Sequence, residues 1–167
     1  TAICLGDDAT LTATGGGSYL WNTGETSASI TVSPTADTTY SVTVTSAEGC
    51  VDSDDVVVSI NPEVVANAGP DVAICAGDSV TLTATGGGTY VWSNGETTES
   101  ITVSPIAETG YTVTVTSDDG CTATDQVIVS INPEVVANAG ADTAICLGDD
   151  ATLTATGGGS YLWNTGE

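Results

Sequence analysis

The sequence has 167 residues and 22 acidic side chains, but it contains no lysine, arginine or histidine. Binding to nucleic-acid phosphates or to an anionic membrane surface requires Lys or Arg, so we exclude both as direct partners. Catalysis by a histidine base, a lysine Schiff base or an arginine clamp is excluded for the same reason, and we predict that the chain is not an enzyme. The acidic surface either repels its neighbours or collects divalent cations.

The sequence is built from a repeated unit of 71 residues. Residues 1–71 and 72–142 align without a gap and are identical at 49 positions, and residues 143–167 match residues 1–25 throughout. This period predicts a tandem array of one small module. We therefore predict three domains: repeat A (1–71), repeat B (72–142) and a truncated further repeat A (143–167).

Each complete repeat closes on nearly the same segment, 61–71 in repeat A and 132–142 in repeat B. We predict that this proline-containing segment is a short joint that limits bending between modules. The third repeat holds only the first strands of a module and is too short to bury a core alone. We expect further sequence or a neighbouring chain to complete it.

Apolar residues in each repeat alternate with threonine and serine, which is the pattern of half-buried strands. The alternation starts with Ala9, Leu11 and Ala13 and stops at 15–17, three glycines that we interpret as a turn. Later strands are predicted around residues 19–21, 30–32, 40–44 (the longest) and 56–60. No stretch shows helical periodicity. Six or seven short strands per repeat predict an all-β fold, a tandem array of small antiparallel β-sandwich modules.

Each complete repeat carries two cysteines 46 residues apart, Cys4 with Cys50 and Cys75 with Cys121. We predict that each pair forms a disulfide that closes its own module, which stabilises it by about 4 kcal/mol in the chain-entropy model. The alternative pairing, Cys50 with Cys75, would cross the joint. Cys146 opens the third repeat and would pair beyond residue 167. Disulfides in modules with so small a core indicate an oxidising, extracellular location.

Aromatic residues recur at fixed positions and are predicted to form the cores, since a sandwich of this size is expected to bury one tryptophan. The alternative is that Tyr19 and Trp21 form a platform on which a sugar stacks. The predicted core aromatic residues are Trp21, Trp92, Trp163, Tyr40 and Tyr111.

Acidic and amide side chains cluster in and after the predicted joints, and oxygen ligands of this kind suit Ca²⁺. The sequence requires no cofactor, but calcium at these positions would stiffen the joint. The candidate ligands are Glu63, Asn67, Asp71 and Asp78, and their repeats Glu134, Asn138, Asp142 and Asp149.

Three short Asp-Ser/Thr triplets are candidate sites for O-glycosylation, and the chain has no Asn-x-Ser/Thr acceptor. They resemble the O-glycan acceptor of Bacteroidota, in which Ser or Thr follows Asp. The candidate acceptors are Thr38, Ser79 and Thr143.

The order of motifs in each repeat resembles a known family. Cys-x-Gly-Asp is followed by Thr-Leu-Thr-Ala-Thr-Gly-Gly-Gly and Tyr-x-Trp-x-x-Gly-Glu-Thr, over residues 4–26 and 75–97. Ser-Ile-Thr-Val-Ser-Pro, Thr-x-Tyr-x-Val-Thr-Val-Thr and Gly-Cys complete the pattern. It is similar to the PKD-like (polycystic kidney disease-like), immunoglobulin-like repeats of very large cell-surface adhesins in Bacteroidota, including gliding-motility adhesins. The resemblance implies a sandwich fold, export to the bacterial cell surface and a stalk role, and it implies no catalytic residues.

We therefore predict a structural stalk or filament segment of a long extracellular adhesin, whose partners are neighbouring repeats of the same chain or identical chains. Two alternatives remain open. In one, the chain is a subunit of a self-assembling filament; in the other, the repeats themselves bind a glycan or a surface. The sequence period is the same for a single long chain and for an end-to-end assembly.

Overall fold

The computed structural model describes residues 1–165, so residues 166 and 167 of the predicted third repeat lie outside the described residues. Within this range the fold is all-β, which confirms the predicted fold class. No helix in the described range is long and apolar enough to cross a membrane.

Repeat A folds as two sheets packed face to face. Its alternating residues place one face of each strand inward, which gives the buried and exposed alternation seen along residues 9–12 and 29–32. The strands are β1 (Ala2–Ile3), β2 (Ala9–Thr12), β3 (Ser18–Trp21), β4 (Ser29–Val32), β5 (Thr38–Thr45) and β6 (Val51–Ile60). Four of them form a sheet in the order β1-β6-β5-β3, and β2 pairs with β4 in the other.

The strands of repeat B are β7 (Val72–Ile74), β8 (Val80–Thr83), β9 (Thr89–Trp92), β10 (Ser100–Val103), β11 (Thr109–Thr116) and β12 (Thr122–Ile131). Repeat B has the same topology as repeat A, with a four-stranded sheet in the order β7-β12-β11-β9 and a β8–β10 pair. Within both modules the pairings are antiparallel except for the first strand, which runs parallel to the last.

The longest strand of repeat A is β6, with 10 residues, and not β5, with 8, so that prediction was wrong. The first half of β6 is Val51-Asp-Ser-Asp-Asp55, which is exposed and shows no alternation of burial. Backbone pairing to β5, from Thr45 with Val51 to Thr38 with Val58, holds this half in the sheet. A strand segment that is held in the sheet only by backbone hydrogen bonds shows no apolar periodicity, so the sequence pattern does not reveal it.

A tryptophan lies at the centre of each core. Trp21 is 3% exposed and Trp92 is 1% exposed, and each indole nitrogen donates to a backbone carbonyl, of Ser27 at 2.9 Å and of Thr98 at 3.0 Å. Tyr40 is also buried, whereas Tyr111 is half-buried against the repeat B core. Because their rings lie inside the modules, the two tryptophans are unavailable for stacking on a sugar.

The third repeat forms no strand within the described range, although its sequence matches residues 1–25. One isolated bridge, between Asn138 and Thr156, connects it to the segment before it. Trp163 is half-buried here. In repeat A, the corresponding strands β2 and β3 pair with β4 and β5. Residues 143–167 correspond to residues 1–25 and do not include the positions of β4 and β5.

Candidate functional site

The segment predicted to be a joint is part of the repeat B sandwich. Ala68 is 1% exposed and belongs to the repeat B core, and Val64 and Ala66 are half-buried against that core. Val65 and Asn67 point outward, and Val65 is 69% exposed. The segment therefore packs as an extended edge with an alternating inward face.

Hydrogen bonds fix this segment in place. Asn67 exchanges both backbone bonds with Thr85, at 3.0 and 2.8 Å. The Ala68 amide donates to the Asp125 carboxylate (N to Oδ2, 2.8 Å), and the Ile128 amide donates to Asp71 (N to Oδ1, 2.8 Å). Hydrogen bonds to a carboxylate are stronger than those between neutral groups, so both aspartates add to the stability of the junction.

Residue 86 has to be glycine because the backbone of Val65 and Ala66 passes close to it. A Cβ atom built on Gly86 would lie 2.6 Å from the Val65 carbonyl oxygen and 3.4 Å from the Ala66 Cα. The backbone φ there is +148°, which favours glycine in addition. The three-glycine turn is thus where the segment from the preceding module crosses.

A disulfide between Cys4 of repeat A and Cys121 of repeat B joins the two modules, with a Cα–Cα distance of 5.5 Å. The predicted pairings of Cys4 with Cys50 and of Cys75 with Cys121 were therefore wrong. Cys4 follows β1, whose Ile3 pairs with Ile60 at the end of β6, whereas Cys50 precedes the start of β6. Ten residues of strand span about 33 Å, so the two cysteines of one module lie at opposite ends of it.

The alternative pairing of Cys50 with Cys75 is not formed either. Both residues are exposed and free in the described part of the chain, as is Cys146. The observed bond instead joins the first cysteine of one module to the second cysteine of the next. A disulfide is typical of proteins in an oxidising environment.

Repeat A carries an open groove of about 800 Å³ at the position that the segment occupies on repeat B. Ala13 and Val44 in this groove are half-buried, while their counterparts Ala84 and Val115 are fully buried. Cys50 and Asp54 also line the groove. The two modules therefore differ in whether this face is covered.

The predicted calcium ligands are not gathered into a site. The described residues contain no group of three or more Asp, Glu, His or Cys side chains placed to hold a metal ion. Asp71 accepts the Ile128 amide, and the Asn67 and Asn138 side-chain oxygens accept the amides of Gly69 and Gly140 at 2.7 Å. Calcium binding therefore stays a prediction from the sequence. The other predicted ligands are Glu63, Asp78, Glu134, Asp142 and Asp149.

The predicted glycosylation sites differ in exposure. Ser79 and Thr143 are exposed, and Thr38 is half-buried with its hydroxyl donating to the Ala36 carbonyl at 2.7 Å. The Ser79 hydroxyl lies 2.8 Å from that of Ser104. Modification at these residues stays a prediction.

No protein-family model matches the sequence, and no curated protein matches it. Several solved structures match the fold, and two of them are described here. The three N-terminal domains of the Highly Immunogenic Outer Capsid protein (Hoc) of bacteriophage RB49 have 22% sequence identity and a TM-score of 0.45, covering 93% of this chain and 64% of theirs. SGBP-B of the Bacteroides ovatus mixed-linkage glucan utilization locus, in complex with a mixed-linkage heptasaccharide, has 18% identity and a TM-score of 0.22, covering 78% of this chain and 42% of its own. The chain spans less than two thirds of either protein.

Proposed function

We propose that the chain is a non-enzymatic spacer segment of a long, repetitive extracellular stalk, of the kind that carries surface adhesins in Bacteroidota. The junction between repeat A and repeat B is the observation that supports this proposal. Val64, Ala66 and Ala68, at the end of repeat A, pack in or against the core of repeat B, and the two repeats are also bonded through Cys4 and Cys121. A connection that is both packed and covalent is what a tension-bearing array needs.

Under tension, the disulfide transmits force directly between Cys4 and Cys121, so the residues between them do not bear it. Force applied at the two ends reaches Cys4 and crosses to Cys121, a sequence separation of 117 residues. The strands between these cysteines, from β2 to β11, lie outside this path. Beyond Cys121 the path continues along β12, which is already extended. The array is therefore expected to resist lengthening even when its modules lose their packing.

The acidic surface contributes in a different way. The net charge of −22 has no lysine or arginine to offset it, so neighbouring stalks repel each other. The resemblance to PKD-like adhesin repeats supports the same role and an extracellular, cell-surface location.

Single-molecule pulling of the chain from its two ends tests the proposal. With the disulfide intact, unfolding is expected to release little length. Addition of a reductant is expected to release about 400 Å more, from 117 residues at about 3.4 Å each. The Cys4→Ser/Cys121→Ser double variant should behave like the reduced chain, and Cys75→Ser like the oxidised one. Equal extensions with and without reductant would contradict the stalk mechanism.

A further inference from the structure

The turn that follows β9 in repeat B carries the only asparagine of the sequence that precedes a glycine. Asn94 is followed by Gly95, whereas the other six asparagines are followed by threonine, proline or alanine. Both residues of the pair are exposed. At the same place repeat A has Thr23 before Gly24. The pair therefore gives repeat B a chemical group that its counterpart lacks.

We propose that Asn94 is a site of spontaneous deamidation, at which the Gly95 amide nitrogen attacks the asparagine side-chain carbonyl and forms a cyclic imide. The reaction needs no enzyme and no cofactor, and water is its only other reactant. It is independent of the proposed stalk function. It gives repeat B a limited chemical lifetime that repeat A does not share at this turn.

The Asn94 side chain is folded over the peptide that follows it. Its Oδ1 accepts the Glu96 backbone amide at 3.1 Å, and its Nδ2 donates to Glu96 Oε1 at 3.0 Å. The first contact is an Asx turn, which directs the side-chain carbonyl towards the backbone nitrogen of Gly95. The donated hydrogen bond also draws electron density away from that carbonyl, so its carbon accepts a nucleophile more readily. Geometry and polarisation both favour attack at Asn94.

Glycine at position 95 leaves the attacking nitrogen accessible. A Cβ atom built on Gly95 would meet no heavy atom within 4 Å, so this side of the turn faces solvent. Because glycine has no side chain, nothing on its own Cα shields the nitrogen. The Gly95 amide donates to the Trp92 carbonyl at 2.8 Å, so the turn opens before the nitrogen attacks. An exposed turn opens locally at a small cost in free energy.

The reaction is balanced by the loss of ammonia and the addition of water. The Gly95 nitrogen bonds to Asn94 Cγ, and its proton passes through solvent to the side-chain nitrogen, which leaves as ammonia. Water then opens the imide at one of its two carbonyls. Breaking the bond between the Gly95 nitrogen and Cγ gives aspartate. Breaking the bond to the main-chain carbonyl carbon gives isoaspartate, in which the backbone runs through the former side chain.

Two other asparagines show why the glycine matters. Asn67 makes the same Asx contact, with its Oδ1 accepting the Gly69 amide at 2.7 Å, but it is followed by alanine, whose Cβ shields the nitrogen. Asn22 is followed by the β-branched Thr23, and its Nδ2 donates to the Thr39 carbonyl at 3.2 Å. Both are expected to deamidate more slowly than Asn94, and both are present in the same chain as internal controls.

Isoaspartate at this turn affects the repeat B core through Trp92. Two backbone hydrogen bonds close the turn, from the Gly95 amide to the Trp92 carbonyl and from the Trp92 amide to the Glu96 carbonyl, both at 2.8 Å. Isoaspartate inserts one further backbone carbon between the bonded residues, so neither bond keeps its geometry. Trp92 is buried, and its amide would lose its acceptor. Deamidation is therefore expected to destabilise repeat B.

Incubation of the full chain at neutral and at mildly alkaline pH, followed by cleavage after glutamate, tests the site. Tandem mass spectrometry of residues 64–96 reads Asn94 and Asn67 in one peptide. We expect Asn94 to become a mixture of aspartate and isoaspartate, faster at the higher pH because the attacking nitrogen must lose its proton. Asn94→Thr should abolish the reaction, and Thr23→Asn should create it in repeat A. An Asn94 amide as long-lived as that of Asn67, or aspartate formed without isoaspartate, would overturn the proposal.

Thermal unfolding of the aged chain tests the consequence for the core. The aged parent chain should unfold at a lower temperature than the fresh chain, whereas aged and fresh Asn94→Thr should unfold alike. Asn94→Asp adds the charge without the extra backbone carbon, and as the matched control it should unfold like the fresh parent chain. An equal loss in Asn94→Asp would assign the effect to charge and overturn the backbone mechanism. The pulling result depends on Cys4 and Cys121, so failures of the two proposals are distinguishable.

Discussion

Repeats A and B are similar in sequence, with 49 of 71 positions identical, and their burial differs where repeat B is covered by residues 64–69. Val113 is fully buried and its counterpart Val42 is 8% exposed; Cys121 is 5% exposed and its counterpart Cys50 is exposed. The strand order is the same in both. A complete core therefore needs the end of the preceding module, so packing in this array does not follow the borders of the sequence repeat.

Removal of the disulfide between the two modules is expected to have the largest effect on the free energy of unfolding. Cys4→Ser/Cys121→Ser removes a bond between residues 117 positions apart, which should lower the free energy of unfolding by about 5 kcal/mol in the chain-entropy model. Cys75→Ser, at an exposed free thiol, should leave it unchanged. Urea denaturation followed by tryptophan fluorescence measures both. If Cys4→Ser/Cys121→Ser and Cys75→Ser lower the free energy of unfolding equally, the bond does not stabilise the junction.

A charge introduced into residues 64–69, the segment that covers repeat B, should have the next largest effect on stability. Ala68→Asp places a carboxylate in the repeat B core, beside Asp125, and should destabilise that module by about 3 kcal/mol. Ala139→Asp makes the same change at an exposed position and should have no measurable effect. Thermal unfolding of the two variants makes the comparison. If Ala68→Asp unfolds like the parent chain, the segment does not belong to the core.

Removal of the carboxylate that accepts the Ala68 amide should cost less. Asp125→Ala is expected to lower the free energy of unfolding by about 1.5 kcal/mol, because the Ala68 amide loses a charged acceptor. Asp54→Ala, the same change on the uncovered groove, should lie within about 0.5 kcal/mol of the parent chain. Guanidinium denaturation of this matched pair separates the bond from a general effect of charge.

Calcium is expected to have the smallest effect. Each predicted ligand is exposed or bonded to a backbone amide, so we expect weak binding. Ca²⁺ at a concentration equal to its dissociation constant would stabilise the chain by about 0.4 kcal/mol. Calorimetric titration, with Glu63→Gln/Asp71→Asn as the control, measures it. No heat of binding up to millimolar Ca²⁺ would remove the calcium hypothesis.

Most of the sandwich could be predicted from the sequence because alternation and burial coincide along β2, β4 and β5. In residues 64–69 the structure turns Val64, Ala66 and Ala68 inward, but the apolar Val65 interrupts the alternation in the sequence and Pro62 favours the interpretation as a joint. The disulfide could not be predicted from spacing. Which end of the module each cysteine occupies depends on the parallel pairing of β1 with the far end of β6, a contact between residues 57 positions apart.

Peptide mapping of the unreduced chain is the most direct test of the junction. Cleavage after glutamate places each of the five cysteines in a separate peptide, since glutamates separate every neighbouring pair. We predict a cross-link between residues 1–25, which contain Cys4, and residues 109–134, which contain Cys121. Cross-links of 1–25 with 49–63 and of 64–96 with 109–134 would instead close each module on itself, and the covalent junction would be refuted.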